Sequence, residues 1–152
     1  MADFSGKGGK VMVRLLNSIT FLALVYTWWR AIQVYPELPP RIPIHFNLMG
    51  KADGWGGRWT IYLLPLIGTV IAGFWFTIFR LEPGAGKKKL TPEQQVPFSA
   101  LLLAMILAFQ FINHKIVENA LGRAKGLGKA FLPVFLAIIF SLVAWMNWTG
   151  RK

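Results

Sequence analysis

Four apolar runs, each near the length of a membrane-crossing helix, constrain this chain more than anything else in it. They cover residues 11–31, 59–79, 96–112 and 130–148. About 20 apolar residues rising ~1.5 Å each span the ~30 Å of bilayer hydrocarbon. Lipid offers no water to backbone N–H and C=O groups, so each run is expected to be helical. Composition agrees: 55% of the residues are hydrophobic and 15% charged, against about 25% charged in a soluble domain. The expected fold is an all-α membrane protein, a bundle of four transmembrane helices near 11–31, 59–79, 96–118 and 130–148. It reads as a single integral membrane domain over 1–152, with a structured Pro/Gly-rich loop between helices 1 and 2.

Tryptophans mark the ends of these runs. Trp28 and Trp29 close the first, Trp59 opens the second, and Trp145 and Trp148 fall late in the fourth. These are headgroup-level positions for an amphipathic ring. Trp75, late in the second run, reads equally well as ordinary packing. The first run follows Lys7, Lys10 and Arg14 but is long for a signal peptide and lacks a small-residue cleavage site, so it reads as a retained helix. The net charge of +11 is assigned to lysines and arginines meeting lipid headgroups, not nucleic acid. With no cysteine in the chain, disulfides, thiolate metal sites and cysteine nucleophiles are excluded.

Four spans put both termini and the second loop on one side. That side carries nine Lys and Arg, the other eight. The lysines at 87, 88 and 89 tip the expectation toward cytoplasmic termini in a cytoplasmic (inner) membrane. The second loop, EPGAGKKKLTPEQQ, misses the phosphate-loop pattern: Leu81 stands at its first glycine and Lys88 at its Ser/Thr place. Thr91, Pro92 and Gln94 form a helix-start signature, with Thr91 as cap and Gln94 at the capping-box position.

The first loop is the densest polar stretch, LPPRIPIHFNLMGKADGWGGRW. Its prolines oppose a helix. Alternation over 41–47 puts Ile42, Ile44 and Phe46 on one face, and Arg41, Pro43, His45 and Asn47 on the other. Glycines at 50, 54, 56 and 57 then suggest a turn and re-entry into the second helix.

The stretch YPELPPRIPIHFNLMGKADGWGGRWTIYLLPLI, residues 35–67, resembles domain of unknown function 1648 of SdpI-type bacterial membrane proteins. Pro39, Ile42, Pro43, His45, Phe46, Asn47, Gly50, Asp53 and Gly56 carry the likeness. The resemblance implies a bacterial membrane protein whose motif joins the first two helices, with an immunity or signalling type of role.

At the end of the third helix, Gln110, His114 and Glu118 recur every fourth residue and share one face. Topology puts that end and the first loop on the same side of the membrane. His45, Asn47, Asp53, Gln110, His114 and Glu118 are therefore expected to form one polar cluster. Three readings stay open: a structural hydrogen-bonded network, a ligand site, or plain solvation of these groups at the membrane interface. Of these, the ligand site is the one that could carry a metal: a divalent metal on His45, His114 and Glu118 suits their nitrogen and carboxylate donors; otherwise no cofactor is implied. Enzyme signatures are absent. The expected function is binding, at the first-loop face, of another membrane protein or a peptide. The alternatives are an accessory subunit of a larger membrane complex, or a small transporter.

Overall fold

A computed structural model describes residues 6–80 and 90–149. The lysines at 87, 88 and 89, and Arg151 and Lys152, lie outside the described residues. Four helices are long and apolar enough to cross a membrane: α1 (Lys7–Val34), α2 (Leu63–Arg80), α3 (Pro92–Ala120) and α4 (Phe131–Thr149). The expected all-α membrane bundle is what the chain builds. Between α1 and α2 the first loop folds into two strands, β1 (Arg41–Phe46) and β2 (Ala52–Gly57). Short 3-10 turns at Tyr35–Glu37 and Arg58–Tyr62 join this hairpin to the helices.

Helices α1 and α3 are longer than their apolar runs, whereas α2 is shorter, because residues 58–62 form a 3-10 turn ahead of it. At the start of α3, the Gln94 N–H donates to Thr91 Oγ1 and the Thr91 N–H donates to Gln94 Oε1, with Pro92 opening the helix. This capping box satisfies two of the donors a helix start leaves free, so α3 begins four residues ahead of its apolar run. Its 29 residues rise to ~43 Å, so its ends project beyond the hydrocarbon.

Helix α3 is the centre of the bundle. Helix α1 meets it along Thr20, Leu24, Thr27 and Ala31, a buried stripe at helical spacing. Small side chains there let the backbones approach closely. The Thr20 and Thr27 hydroxyls donate back to the carbonyls of Leu16 and Ala23, so no polar hydrogen is stranded in lipid. The Trp28 indole N–H donates to Thr69 Oγ1 at 2.9 Å, tying α1 to α2. Helix α4 packs on α3 through an aromatic stack, Phe111 on Phe131 at 4.8 Å and Phe131 on Phe135 at 5.8 Å.

Two apolar clusters result. Leu24, Ala72, Leu102 and Ile106 fill one, shared by α1, α2 and α3. The other lies at the loop end: Ala31, Val34, Leu38, Ile42, Ile61, Ile116 and Val117. Through it the hairpin is part of the core, not an appendage.

Candidate functional site

The hairpin pairs antiparallel, Arg41 with Gly57, Ile42 with Gly56, Pro43 with Trp55, His45 with Gly54 and Phe46 with Ala52. Ile44 is therefore an extra residue on β1 and Asp53 an extra residue on β2. These two bulges correct the expected alternation. Ile42 is fully buried and Phe46 packs against the same cluster, but Ile44 is 49% exposed and Pro43 is buried. A bulge rotates the chain beyond it and re-aims side chains. The glycines at 54, 56 and 57, read as turn residues, are instead strand residues. A β-carbon at Gly54 would approach the His45 Cβ to 2.9 Å, so the bare backbone of β2 leaves room for the histidine across from it.

The turn lies at 47–50. The Gly50 N–H donates to the Asn47 carbonyl at 2.8 Å. Asn47 Oδ1 accepts from the N–H groups of Met49 and Lys51, at 3.0 Å each. Gly50 takes φ +74°, the left-handed conformation that closes such a turn at least cost in glycine. Asn47 is thus a turn residue, with its side chain committed to its own loop.

The bulge at Asp53 brings its Oδ1 to 2.5 Å from His45 Nδ1. The carboxylate accepts and the ring nitrogen donates, which fixes the imidazole and leaves Nε2 free to meet a ligand. Both side chains are well exposed. On the hairpin Ile44, Leu48, Met49 and Trp55 are also exposed, Leu48 at 87%, as is Trp59 just beyond it. The hairpin thus presents an oriented His-Asp pair and several exposed apolar side chains.

The six residues expected to cluster are divided among separate places. His45 and Asp53 pair on the hairpin. Asn47 holds the turn. Glu118 faces Arg123 at 3.9 Å beyond the end of α3. Gln110 and His114 line a cavity of about 280 Å³ between α1 and α3, with Tyr26 and Arg30 from α1. Among the described residues, no hydrogen bond or ion pair joins His45 or Asn47 to Gln110, His114 or Glu118. None of the described His, Asp and Glu residues gather in a group of three that could hold a metal ion, so His45, His114 and Glu118 are not brought together as metal ligands. The reason is packing. The hairpin docks on α3 by its apolar side, with Ile42 and Phe46 against Ile116 and Val117, and that turns its polar side chains away.

The polar ties that do join the loops to α3 use other residues. Asn113, buried, donates from Nδ2 to the Ile61 carbonyl at 2.9 Å. Asn119 clasps the α3–α4 connection: its Oδ1 accepts from the Gly126 N–H, and its Nδ2 donates to the carbonyls of Lys115 and Gly126. The Leu127 N–H then donates to the Gly50 carbonyl at 2.9 Å, fastening the hairpin tip. The signal for this was present as glycines 122, 126 and 128 in one short connection. Arg58 lies over the Tyr35 ring at 4.9 Å, and Tyr35 stacks on Tyr62 at 5.2 Å. This bridges the two 3-10 turns at the base of the hairpin.

A family model described as Domain of unknown function (DUF1648) matches residues 21–69. The match runs from the second half of α1 through the hairpin into α2, and it contains all of 35–67. A protein of Archaeoglobus fulgidus described as uncharacterized is 27% identical over 74 residues. That stretch is 49% of this chain and 38% of the relative, so the chain accounts for well under half of the longer protein. No solved structure matches.

Proposed function

We propose that this chain acts by binding, not catalysis, and that the exposed face of the hairpin takes a polypeptide partner, another membrane protein or a peptide. The observation that carries the reading is the exposed, hydrogen-bonded His45–Asp53 pair on a hairpin that also exposes Ile44, Leu48, Met49 and Trp55. Apolar side chains exposed on a hairpin clamped at both base and tip form a preorganised contact surface, and little ordering entropy is lost on binding. Among the described residues no third strand pairs with the outer edge of β2, and an extended segment can add to such an edge. The likeness to SdpI-type proteins, centred on this hairpin, is consistent with an immunity or signalling type of role in a bacterial cytoplasmic membrane.

A photo-crosslinking residue at Leu48, in native membranes, tests this. The expected result is one protein adduct of discrete mass, lost when His45→Ala and Asp53→Ala are combined in the same chain. A lipid adduct alone, or a protein adduct indifferent to the double substitution, would sink the proposal.

Within this reading the hairpin faces out of the cell and both ends of the chain lie in the cytoplasm. Single cysteines at Leu48 and Leu90 should then react oppositely with an impermeant thiol reagent on intact cells. Labelling at 48 alone is expected; labelling at 90 alone reverses the orientation.

A further inference from the structure

The cavity between α1 and α3 does not end at its polar lining. Leu107 and Phe111 form part of its wall, and the same two residues line a larger apolar groove of about 650 Å³. That groove runs along α3 between α1 and α4, over Leu103, Phe131, Phe135 and Ile138. From Phe131 to Leu142, both in its lining, α4 rises ~16 Å. One leaflet of hydrocarbon is about half of ~30 Å, so the groove has the reach of a single acyl chain in one leaflet.

The mouth has the complementary chemistry. Tyr26, Arg30, Gln110 and His114 line it, all able to donate hydrogen bonds. Among the described residues Arg30 has no carboxylate partner, and no hydrogen bond engages the side chain of Gln110 or His114. Arg30 stands one helical turn before the end of α1, and His114 less than two before the end of α3. Lys115 adds a second fixed cation beside the mouth, its Nζ over the Phe111 ring at 5.7 Å. Cationic and polar groups held near membrane depth without partners are costly. A phosphate at headgroup level satisfies them.

We propose that this composite site binds one anionic phospholipid, its phosphate at Arg30 and His114 and one acyl chain lying in the groove along α3. The site is separate from the hairpin face, and its occupant differs in chemistry from a polypeptide partner.

The full chain, placed in nanodiscs with equal dioleoyl phosphatidylglycerol and dioleoyl phosphatidylcholine and released into native mass spectrometry, tests this. Retained phosphatidylglycerol is expected to exceed phosphatidylcholine by more than about fivefold, the factor for one cationic group facing an anionic headgroup. Arg30→Gln combined with His114→Gln should abolish that preference. Ala104→Phe, which fills the groove and leaves the mouth intact, should reduce retention of both lipids. Inorganic phosphate in excess should not compete, because the acyl chain is part of what binds. Equal retention of the two lipids by the wild type would overturn the proposal without recourse to any variant. So would displacement by phosphate alone, or a dimer of the chain that excludes lipid and is lost in Ala104→Phe.

Discussion

Replacing Ile42 by alanine will destabilise the protein by about 2–5 kcal/mol, the range for emptying a fully buried isoleucine site. Ile42 is wholly enclosed by Ala31, Val34, Leu38, Ile61, Ile116 and Val117. These neighbours come from α1, α3 and the segments flanking the hairpin, and each is itself buried in the same cluster, so filling the void would unpack another contact. Two residues on, Ile44 is half exposed, and its alanine variant should stay within about 0.5 kcal/mol of wild type. Strict strand alternation would put both on one buried face and make the two losses equal. Unfolding of the two variants in detergent therefore reads the bulge directly. A large loss at 42 with little at 44 is expected, and equal losses would show that the bulge at Ile44 is absent.

That contrast also shows what a sequence can and cannot carry. The helices were legible because hydropathy over ~20 residues answers to one external condition, the thickness of the bilayer. The start of α3 was legible because a capping box is written in consecutive residues, Thr91, Pro92 and Gln94. The order in the first loop followed from its prolines and from the likeness around IPIHFN. The bulges did not, since they arise from the pairing of β1 with a glycine-rich strand that looked like a turn. Nor did the division of the polar residues. The hairpin does pack at the end of α3 that carries His114, but span topology does not set the rotation of the hairpin about its own axis. The apolar dock of Ile42 and Phe46 sets that rotation, and it turns His45 toward Asp53. Asn113 and Asn119 carry the buried polar ties instead, because each lies where a loop carbonyl or N–H needs a partner, a need visible only once the loops are folded.

The fastening of the hairpin tip gives the second large effect, at Gly126. This residue has φ +80° and lies against the carbonyl of Gly50, where an added β-carbon would collide with the oxygen. Alanine there meets two separate penalties. Left-handed backbone costs roughly 1–2 kcal/mol in a residue with a β-carbon. Pushing Gly50 away also breaks the bond from the Leu127 N–H to its carbonyl, about 1 kcal/mol more. The total is about 2–3 kcal/mol. Gly122 separates the two contributions: its φ is +71° with open space around it, so Gly122→Ala bears the backbone strain alone. The two alanine variants should therefore differ by about 1 kcal/mol in stability. They should differ more sharply in hydrogen exchange, because only Gly126→Ala releases the tip. Faster exchange is expected at the amides of Asn47 and Gly50 in that variant, with those amides unchanged in Gly122→Ala. If both variants leave exchange at the tip alone, the α3–α4 connection does not hold the hairpin. The surface around His45 and Asp53 would then rest on its base contacts only, at Ile42, Ile61 and the Arg58–Tyr35 stack.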